Sequence, residues 1–462
     1  MKINKLYESA KDSENRIREL PPADRIQKDK RHLACTIHID PSRENNSFEG
    51  FGGALTESSG YVLSLIPAEK RKEVIEAYFS NNGIGYTLAR THLNSSDFSL
   101  DNWACAEKQG DVNLESFSME RTDKYITPLV KEAKDCAAKN GKFKLLISPW
   151  SPPAWMKDNN DMNHGGKLLK KYYSLWADYF VRFINELDKR GIDTWSVSVQ
   201  NEPAAKQTWD SCLYSAEEEA EFAVDHLGPA LEKYCKEKTG SQNKIKIFVW
   251  DHNRDLLWER FSASMSVKGA DKYIDGAAFH WYSGDQYDNL AKVSKAWPSK
   301  SFVFTEGCIE GGPRPGAWFS GERYAHNIIN DLNSGCTGWI DWNIALNTQG
   351  GPNHVGNFCD APVLIDTDKG EVHYMSSFYY IGHFSKFIKP QAKRVDIRID
   401  AYRTPATVDG LMGNMMEACA FKNTDGTVAF VVMNRTEADM IYSLNEITLR
   451  CPPRGIQTVL LS

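Results

Sequence analysis

No stretch of 18 consecutive apolar residues occurs in the 462-residue chain, so a membrane-spanning helix is not expected. The first residues, Met1-Lys2-Ile3-Asn4-Lys5 and on to Ser13-Glu14-Asn15-Arg16, hold no apolar core of a secretory signal, which points to a cytoplasmic protein with no stable membrane association. The ten cysteines show no C-x-x-C spacing, which argues against metal ligation or a disulfide framework and for reduced thiols. Long runs of one charge are also missing; the net charge of -6 is spread along the chain, so a nucleic-acid partner is not expected. Neither an internal repeat nor a low-complexity segment is present.

What is present is an ordinary globular composition, 41% hydrophobic and 25% charged, in a chain longer than one core usually supports. Between about residues 50 and 345, short apolar runs alternate with segments of helical period. Eight runs stand out: 51–55, 86–90, 143–147, 195–199, 245–249, 276–279, 302–304 and 338–340. Eight strands separated by helices predict a closed (β/α)₈ barrel. The clearest helix follows the third run, where Leu169, Tyr172, Trp176, Phe180, Phe183, Ile184 and Leu187 share one face. Further helices are expected over Ala216 to Lys238 and Arg323 to Leu332. After Phe387 the pattern changes to strands at 417–421, 428–433, 441–444, 448–449 and 459–461, the first two joined by the turn Asn423-Thr424-Asp425-Gly426. With N-terminal strands near Leu33 to Ile39, these predict an appended β-sandwich built from both chain ends. The expected division is 1–49 (N-terminal segment of the sandwich), 50–387 (barrel) and 388–462 (C-terminal sandwich).

Barrel enzymes carry their chemistry at the C-terminal ends of the strands. Here those ends read Thr56-Glu57, Thr91-His92 leading to Asp97, Ser148-Pro149-Trp150, Gln200-Asn201-Glu202-Pro203, Trp250-Asp251-His252-Asn253, His280-Trp281-Tyr282, Thr305-Glu306-Gly307 and Asp341-Trp342-Asn343. Glycoside hydrolysis needs a carboxylic acid for the leaving oxygen and a second carboxylate across the anomeric carbon. Glu202 and Glu306 fit, lying about three βα units apart at roughly 30–35 residues per unit. A general acid with a raised pKa and an ionised nucleophile are the expected protonation states. His92, His252 and His280 also end strands, yet the first strand carries no H-x-H pair, which disfavours a metal-dependent barrel hydrolase, and no cofactor is expected. A non-catalytic carbohydrate-binding barrel would ordinarily lack one of the two glutamates.

Longer stretches go further: Phe51-Gly52-Gly53-Ala54-Leu55-Thr56, Ser96-Asp97-Phe98-Ser99, Ser148-Pro149-Trp150-Ser151-Pro152-Pro153, Asn201-Glu202-Pro203, His280-Trp281-Tyr282, Trp339-Ile340-Asp341-Trp342-Asn343, Gly350-Gly351-Pro352-Asn353 with Asn357-Phe358, and His383 to Ile388. In order and over roughly residues 48–435, the chain resembles glycoside hydrolase family 30, particularly its acid β-glucosidase (glucosylceramidase) branch. The resemblance implies a barrel fused to a β-sandwich, Glu202 as acid/base and Glu306 as nucleophile. It also implies that Asp97, Trp150, Asn201, Trp342 and Asn357 hold the terminal sugar, with His280 and Tyr282 beside them. Asp97 could accept two hydroxyls, the tryptophans could offer flat faces to sugar C–H groups, and Asn201 could donate to the 2-hydroxyl. Arg90 is expected to pair with an acid near the mouth, and Cys308 to be a small buried apolar residue. The segment Ala104 to Thr122 and the loop Gly311 to Phe319 depart from the lipid-hydrolysing members; they are expected to line the leaving-group side. The implied activity is an exo-acting retaining β-glucosidase on small soluble glucosides, with endo-β-1,6-glucanase and β-xylosidase as family alternatives.

Overall fold

The computed structural model describes residues 1–29, 32–239, 244–401, 406–408, 411–413 and 415–462. Eight parallel strands close into a barrel. They are β1 (Phe51–Ala54), β2 (Leu88–Leu93), β3 (Lys144–Pro149), β4 (Thr194–Ser198), β5 (Lys246–Asn253), β6 (Gly276–His280), β7 (Ser301–Glu306) and β8 (Gly338–Asn343), and β8 pairs back onto β1. Each expected run falls on one of them, because strands covered on both faces read as nearly continuous apolar runs. Leu88, Leu146, Phe248, Ala278, Val303 and Ile340 meet as one cluster inside the barrel, a packed interior with no pore. The approach of β1 to β2 requires glycine: a Cβ on Gly52 would fall 2.0 Å from the Leu88 carbonyl oxygen.

The helix after β3 runs Tyr173–Lys189 and buries Trp176, Phe180, Phe183, Ile184 and Leu187. Leu169 and Tyr172 fall outside it, in a short 3₁₀ turn and its lead-in. The helical stretch from Ala216 to Thr239 contains a π turn at Ala223–Leu227. Pro229 lies just beyond; it has no N–H to give and its ring crowds the preceding turn, so a widened turn accommodates it. The helix expected from Arg323 begins earlier, at Phe319, and ends at Asn333.

A nine-stranded sheet forms the second layer, ordered Arg18–Leu20, Ile3–Ala10, Gly455–Leu461, Val428–Asn434, Met416–Lys422, Lys393–Ala401, Leu33–Ser47, Met440–Leu444 and Ile447–Cys451. It folds over itself, so that Tyr442 Oη, near one end of that order, donates to Gln457 Oε1, near the other, at 3.0 Å. Alternation gives each central strand two buried faces. Val428, Phe430 and Val432 point into the sheet's own core, whereas Ala429, Val431 and Met433 join the cluster that continues into the barrel helices. Helix Ser376–Ser385 clamps the junction: His383 bonds Thr458 Oγ1 and Ser9 Oγ, each at 2.9 Å.

The strand Ile3–Ala10 lies within the N-terminal segment expected to join the sandwich, although the strands expected from sequence there lie near Leu33 to Ile39. Its inward Glu8 is 1% exposed and is satisfied by Arg25 at 2.6 Å, Asn15 at 2.9 Å and Gln457 at 2.9 Å. The strand Lys393–Ala401 and the hairpin Val363–Asp366 with Glu371–Tyr374 likewise lie outside the strands expected from sequence.

Candidate active site

The ends of β5, β7 and β8 carry register slips against their neighbours, at Trp250/His252, Phe304/Glu306 and Asp341/Asn343. Such bulges re-aim side chains next to functional sites. In β5 the slip puts Trp250 (φ 75°) and Asp251 (φ 43°) consecutively in the left-handed region. Asp251 then turns into the barrel, and His252 and Asn253 reach the cavity at its mouth. Glu202 is itself left-handed (φ 47°), a conformation that costs of order 1–3 kcal/mol for a non-glycine residue. Backbone bonds hold the arrangement: Glu202 N donates to Asp251 O at 2.9 Å, and Trp250 N to the buried Glu219 carboxylate at 3.0 Å.

Arg90 organises the floor. Fully buried, it donates through Nη1 to Glu306 Oε2 at 2.6 Å, through Nη2 to Asp251 Oδ2 and Asn201 Oδ1 at 2.8 Å each, and through Nε to Ser148 Oγ at 3.1 Å. Its expected pairing with an acid near the mouth is thus made twice over. Tyr282 Oη donates to the other Glu306 oxygen, Oε1, at 3.0 Å, so both oxygens of that carboxylate are engaged. The rings of Trp150 and Trp342 stack on each other at 5.3 Å, with the Arg90 guanidinium 4.7 Å and 5.5 Å from their centroids. Part of each indole is therefore spent on its neighbours, and less flat surface is left for a sugar than expected from sequence.

Glu202 is held more loosely, by His280 Nδ1 and Gln207 Nε2 at 3.3 Å each, with His252 Nδ1 3.6 Å away. His280 passes its second nitrogen to Asp251 Oδ1 at 3.1 Å. Burial lowers the basicity of this imidazole, but the charge of Glu306 and the contacts to Asp251 and Glu202 outweigh it and lift His280 to about 9. For Glu202, burial acts upward and is overcome by the His280 hydrogen bond and the two histidine charges, which bring it down to about 2. Burial raises Glu306, against the opposing effects of His280 and Arg90. These directions reverse the expected order of a raised Glu202 and a readily ionised Glu306. The cause is the His280 contact, which no spacing in the sequence reveals. Burial lowers His252, so two cations, Arg90 and His280, face the three carboxylates of Asp251, Glu202 and Glu306, leaving one net negative charge when all are ionised. Glu202 and Glu306 therefore titrate as a coupled pair.

A cavity of about 200 Å³ at this mouth is lined by Asp97, Trp150, Asn201, Glu202, Tyr282, Glu306, Trp342 and Asn357, all of them residues singled out from sequence. His280 is the exception: it is fully buried behind Glu202, beneath the acid, and does not line the cavity. Asp97 receives Asn353 Nδ2 at 3.2 Å and Asn357 Nδ2 at 3.3 Å on one oxygen, and burial with the charge of Glu306 lifts it to about 8. Gln207, Trp209, His252 and Asn253 also line the cavity and were not anticipated, although the strand-end position of His252 and Asn253 was visible. Cys308 is buried beside the Tyr282 hydroxyl at 3.6 Å.

Neither loop expected on the leaving-group side lines the cavity. The segment 104–122 packs outward on the barrel, Ala106 bonding Tyr179 and Trp155, and Arg121 bonding Glu57. In the 311–319 loop, Trp318 Nε1 donates to Tyr380 Oη and Arg454 O at 2.8 Å each, which ties it to the sheet. A larger groove, about 1120 Å³, lies beside helices Ala68–Phe79 and Glu120–Ala137. Its Glu73, Glu76 and Glu132 side chains are 51%, 54% and 44% exposed, so it lacks a desolvated carboxylate pair and is not the reaction site. Of the three strand-end histidines, His92 is committed to Glu57 N and Asn94 O, whereas Glu202, His252 and His280 each offer one donor atom within 4.8 Å of the others.

Comparisons with known proteins agree with this architecture. The glycosyl hydrolase family 30 TIM-barrel domain matches residues 48–388, and the family 30 beta sandwich domain matches 391–459. Lysosomal acid glucosylceramidase of Mus musculus is 31% identical over 438 residues, covering 91% of this chain and 81% of that one. The crystal structure of SrfJ from Salmonella typhimurium superposes with a TM-score of 0.88 at 34% identity, covering 99% of both chains. The endo-beta1,6-glucanase BT3312 gives a TM-score of 0.81 at 26% identity, again over 99% of each. With the family model spanning the whole barrel and the barrel mouth presenting the carboxyl groups of Glu202 and Glu306, the chain belongs to glycosyl hydrolase family 30 and is a glycoside hydrolase.

Proposed function

We propose that the chain is a retaining β-glucosidase that removes single glucosyl units from the non-reducing end of soluble β-glucosides. Glu306 attacks the anomeric carbon and Glu202 protonates the departing oxygen, so in the glucoside complex the proton shared by the coupled pair must sit on Glu202, opposite to the order in the free enzyme; Glu202 then takes a proton from the water that releases the sugar from Glu306. The unequal support of the two carboxyl groups favours this assignment of roles. Arg90 and Tyr282 grip both oxygens of Glu306, which fixes its lone pairs for attack, while Glu202 keeps long contacts of 3.3 Å and a side chain 13% exposed, as suits a group that exchanges protons. Asp97, Asn201 and Asn357 would bind the hydroxyls of the terminal sugar, and Trp150 and Trp342 its apolar edge.

The observation that carries exo action is the size of the cavity. At about 200 Å³ it is smaller than the roughly 300–1,000 Å³ typical of pockets for drug-sized ligands, and it suits one sugar ring better than a run of them. Endo-β-1,6-glucanase activity is the second reading, favoured by the likeness to BT3312. Time courses on gentio-oligosaccharides separate the two: glucose as the sole early product supports exo action, and an early ladder of shorter oligomers refutes it.

A further inference from the structure

Among the described residues, one group of histidines and carboxylates could hold a metal ion, namely Glu202, His252 and His280. We propose that these three side chains form a binding site for a zinc-class divalent cation, and that its occupancy reversibly silences the hydrolase.

The geometry is close to that of a tetrahedral site. With Zn–N of about 2.0–2.1 Å and Zn–O of about 2.0–2.2 Å, neighbouring donor atoms stand roughly 3.3–3.5 Å apart. Glu202 Oε1 lies 3.3 Å from His280 Nδ1 and 3.6 Å from His252 Nδ1. The three donors are all within 4.8 Å of one another, so bringing the two imidazoles together needs movement of about an ångström. His252 Nδ1 is buried and without a hydrogen bond, a donor atom still seeking a partner. Behind the site, His280 Nε2 contacts Asp251 Oδ1 at 3.1 Å, the carboxylate–histidine arrangement that orients metal-bound imidazoles. A fourth position would face the cavity, which His252 and Glu202 both line.

Charge also favours a dication. The ion displaces the proton of His280, which turns the one net negative charge among Arg90, His280, Asp251, Glu202 and Glu306 into two, and the divalent charge cancels them. Two imidazoles and one carboxylate prefer zinc and its neighbours over magnesium or calcium, which seek oxygen. The consequence for turnover rests on the assignment of Glu202 proposed above: an oxygen bound to the cation cannot hold the proton for the leaving group.

The test uses the purified enzyme with ZnCl₂ or MgCl₂ as probe, at fixed pH and without chelating buffer, and reads two quantities. Equilibrium dialysis with elemental analysis should find zinc bound at this site in the wild type, with one equivalent fewer in His252→Asn. Hydrolysis of an alkyl β-glucoside should fall saturably with Zn²⁺ and not with equal Mg²⁺, and His252→Asn should raise the half-inhibitory zinc concentration about tenfold or more. Cys308→Ser should leave zinc sensitivity in place. Equal zinc uptake by wild type and His252→Asn would overturn the site, as would equal inhibition by Mg²⁺ or loss of zinc sensitivity on removing the Cys308 thiol. Zinc bound through His252 with no inhibition would overturn the silencing alone, and would point to an error in the role of Glu202 and not in the site.

Discussion

Replacing Arg90 tests the electrostatic floor of the site. In the wild type its guanidinium is fully buried and bonds Glu306, Asp251, Asn201 and Ser148. Arg90→Met keeps much of the volume and removes every one of those donors. Breaking a buried ion pair by deleting one partner costs about 3–5 kcal/mol, because the remaining charge is left uncompensated. Here two carboxylates lose their partner, although His280 still reaches Asp251 at 3.1 Å and Tyr282 still reaches Glu306 at 3.0 Å, so the lower end, about 3 kcal/mol, is expected. Arg90→Lys restores the charge but not the fork that serves Glu306 and Asp251 together; it should recover part of the stability and little of kcat. Denaturant unfolding followed by tryptophan fluorescence measures the first quantity, and initial rates on an aryl β-glucoside the second. A loss below about 1 kcal/mol for Arg90→Met, or near-normal kcat in either variant, would refute the view that Arg90 holds the nucleophile in place.

Three other variants address separate links. Glu202→Ala should slow an alkyl β-glucoside far more than a dinitrophenyl β-glucoside, whose leaving group needs no proton; equal slowing would remove Glu202 as the acid. His280→Asn deletes a cation that lowers both Glu202 and Glu306, so both steps of the coupled pair rise and the alkaline limb of kcat/KM moves to higher pH; an unmoved or lowered limb would contradict the charge placed on His280. His326, buried between Asp285 at 3.0 Å and Glu417 at 2.8 Å, is raised to about 9: burial opposes the shift and the two carboxylates prevail. Its stabilisation is complete below the unfolded value of about 6.5 and disappears as pH rises through about 9, a contribution of order 1–3 kcal/mol given the partly exposed Asp285. Wild-type Tm should therefore fall more steeply than that of His326→Gln between these pH values, and parallel Tm curves would count against the ion pair.

The barrel was legible because its strands are buried on both faces and each leaves an uninterrupted apolar run, with the polar residues of the mouth directly after it. Glu202 and Glu306 stood out for the same reason. What escaped the sequence depends on contacts between distant segments. Glu8 reads as a solvated charge until Arg25 and Gln457 are seen to satisfy it in the interior. His280 follows a strand as a sugar contact would, yet it sits beneath Glu202 because Asp251 draws its other nitrogen inward. His252 reaches the cavity through a register slip in β5, which alternation along the strand does not predict. Trp150 and Trp342 follow apolar runs and line the mouth, but their mutual stacking, and the guanidinium beside them, needed three separate strands to meet.

The central claim is that Glu306 forms a covalent bond to the sugar. Incubating the enzyme with a 2-deoxy-2-fluoro-β-glucoside bearing a good leaving group slows release of the glycosyl-enzyme, because the fluorine destabilises the oxocarbenium-like transition state. Intact mass followed by peptide mapping should place one fluoroglucosyl group on Glu306, and Glu306→Gln should neither be labelled nor turn over substrate. Labelling of another carboxylate, or substantial turnover by Glu306→Gln, would contradict the account.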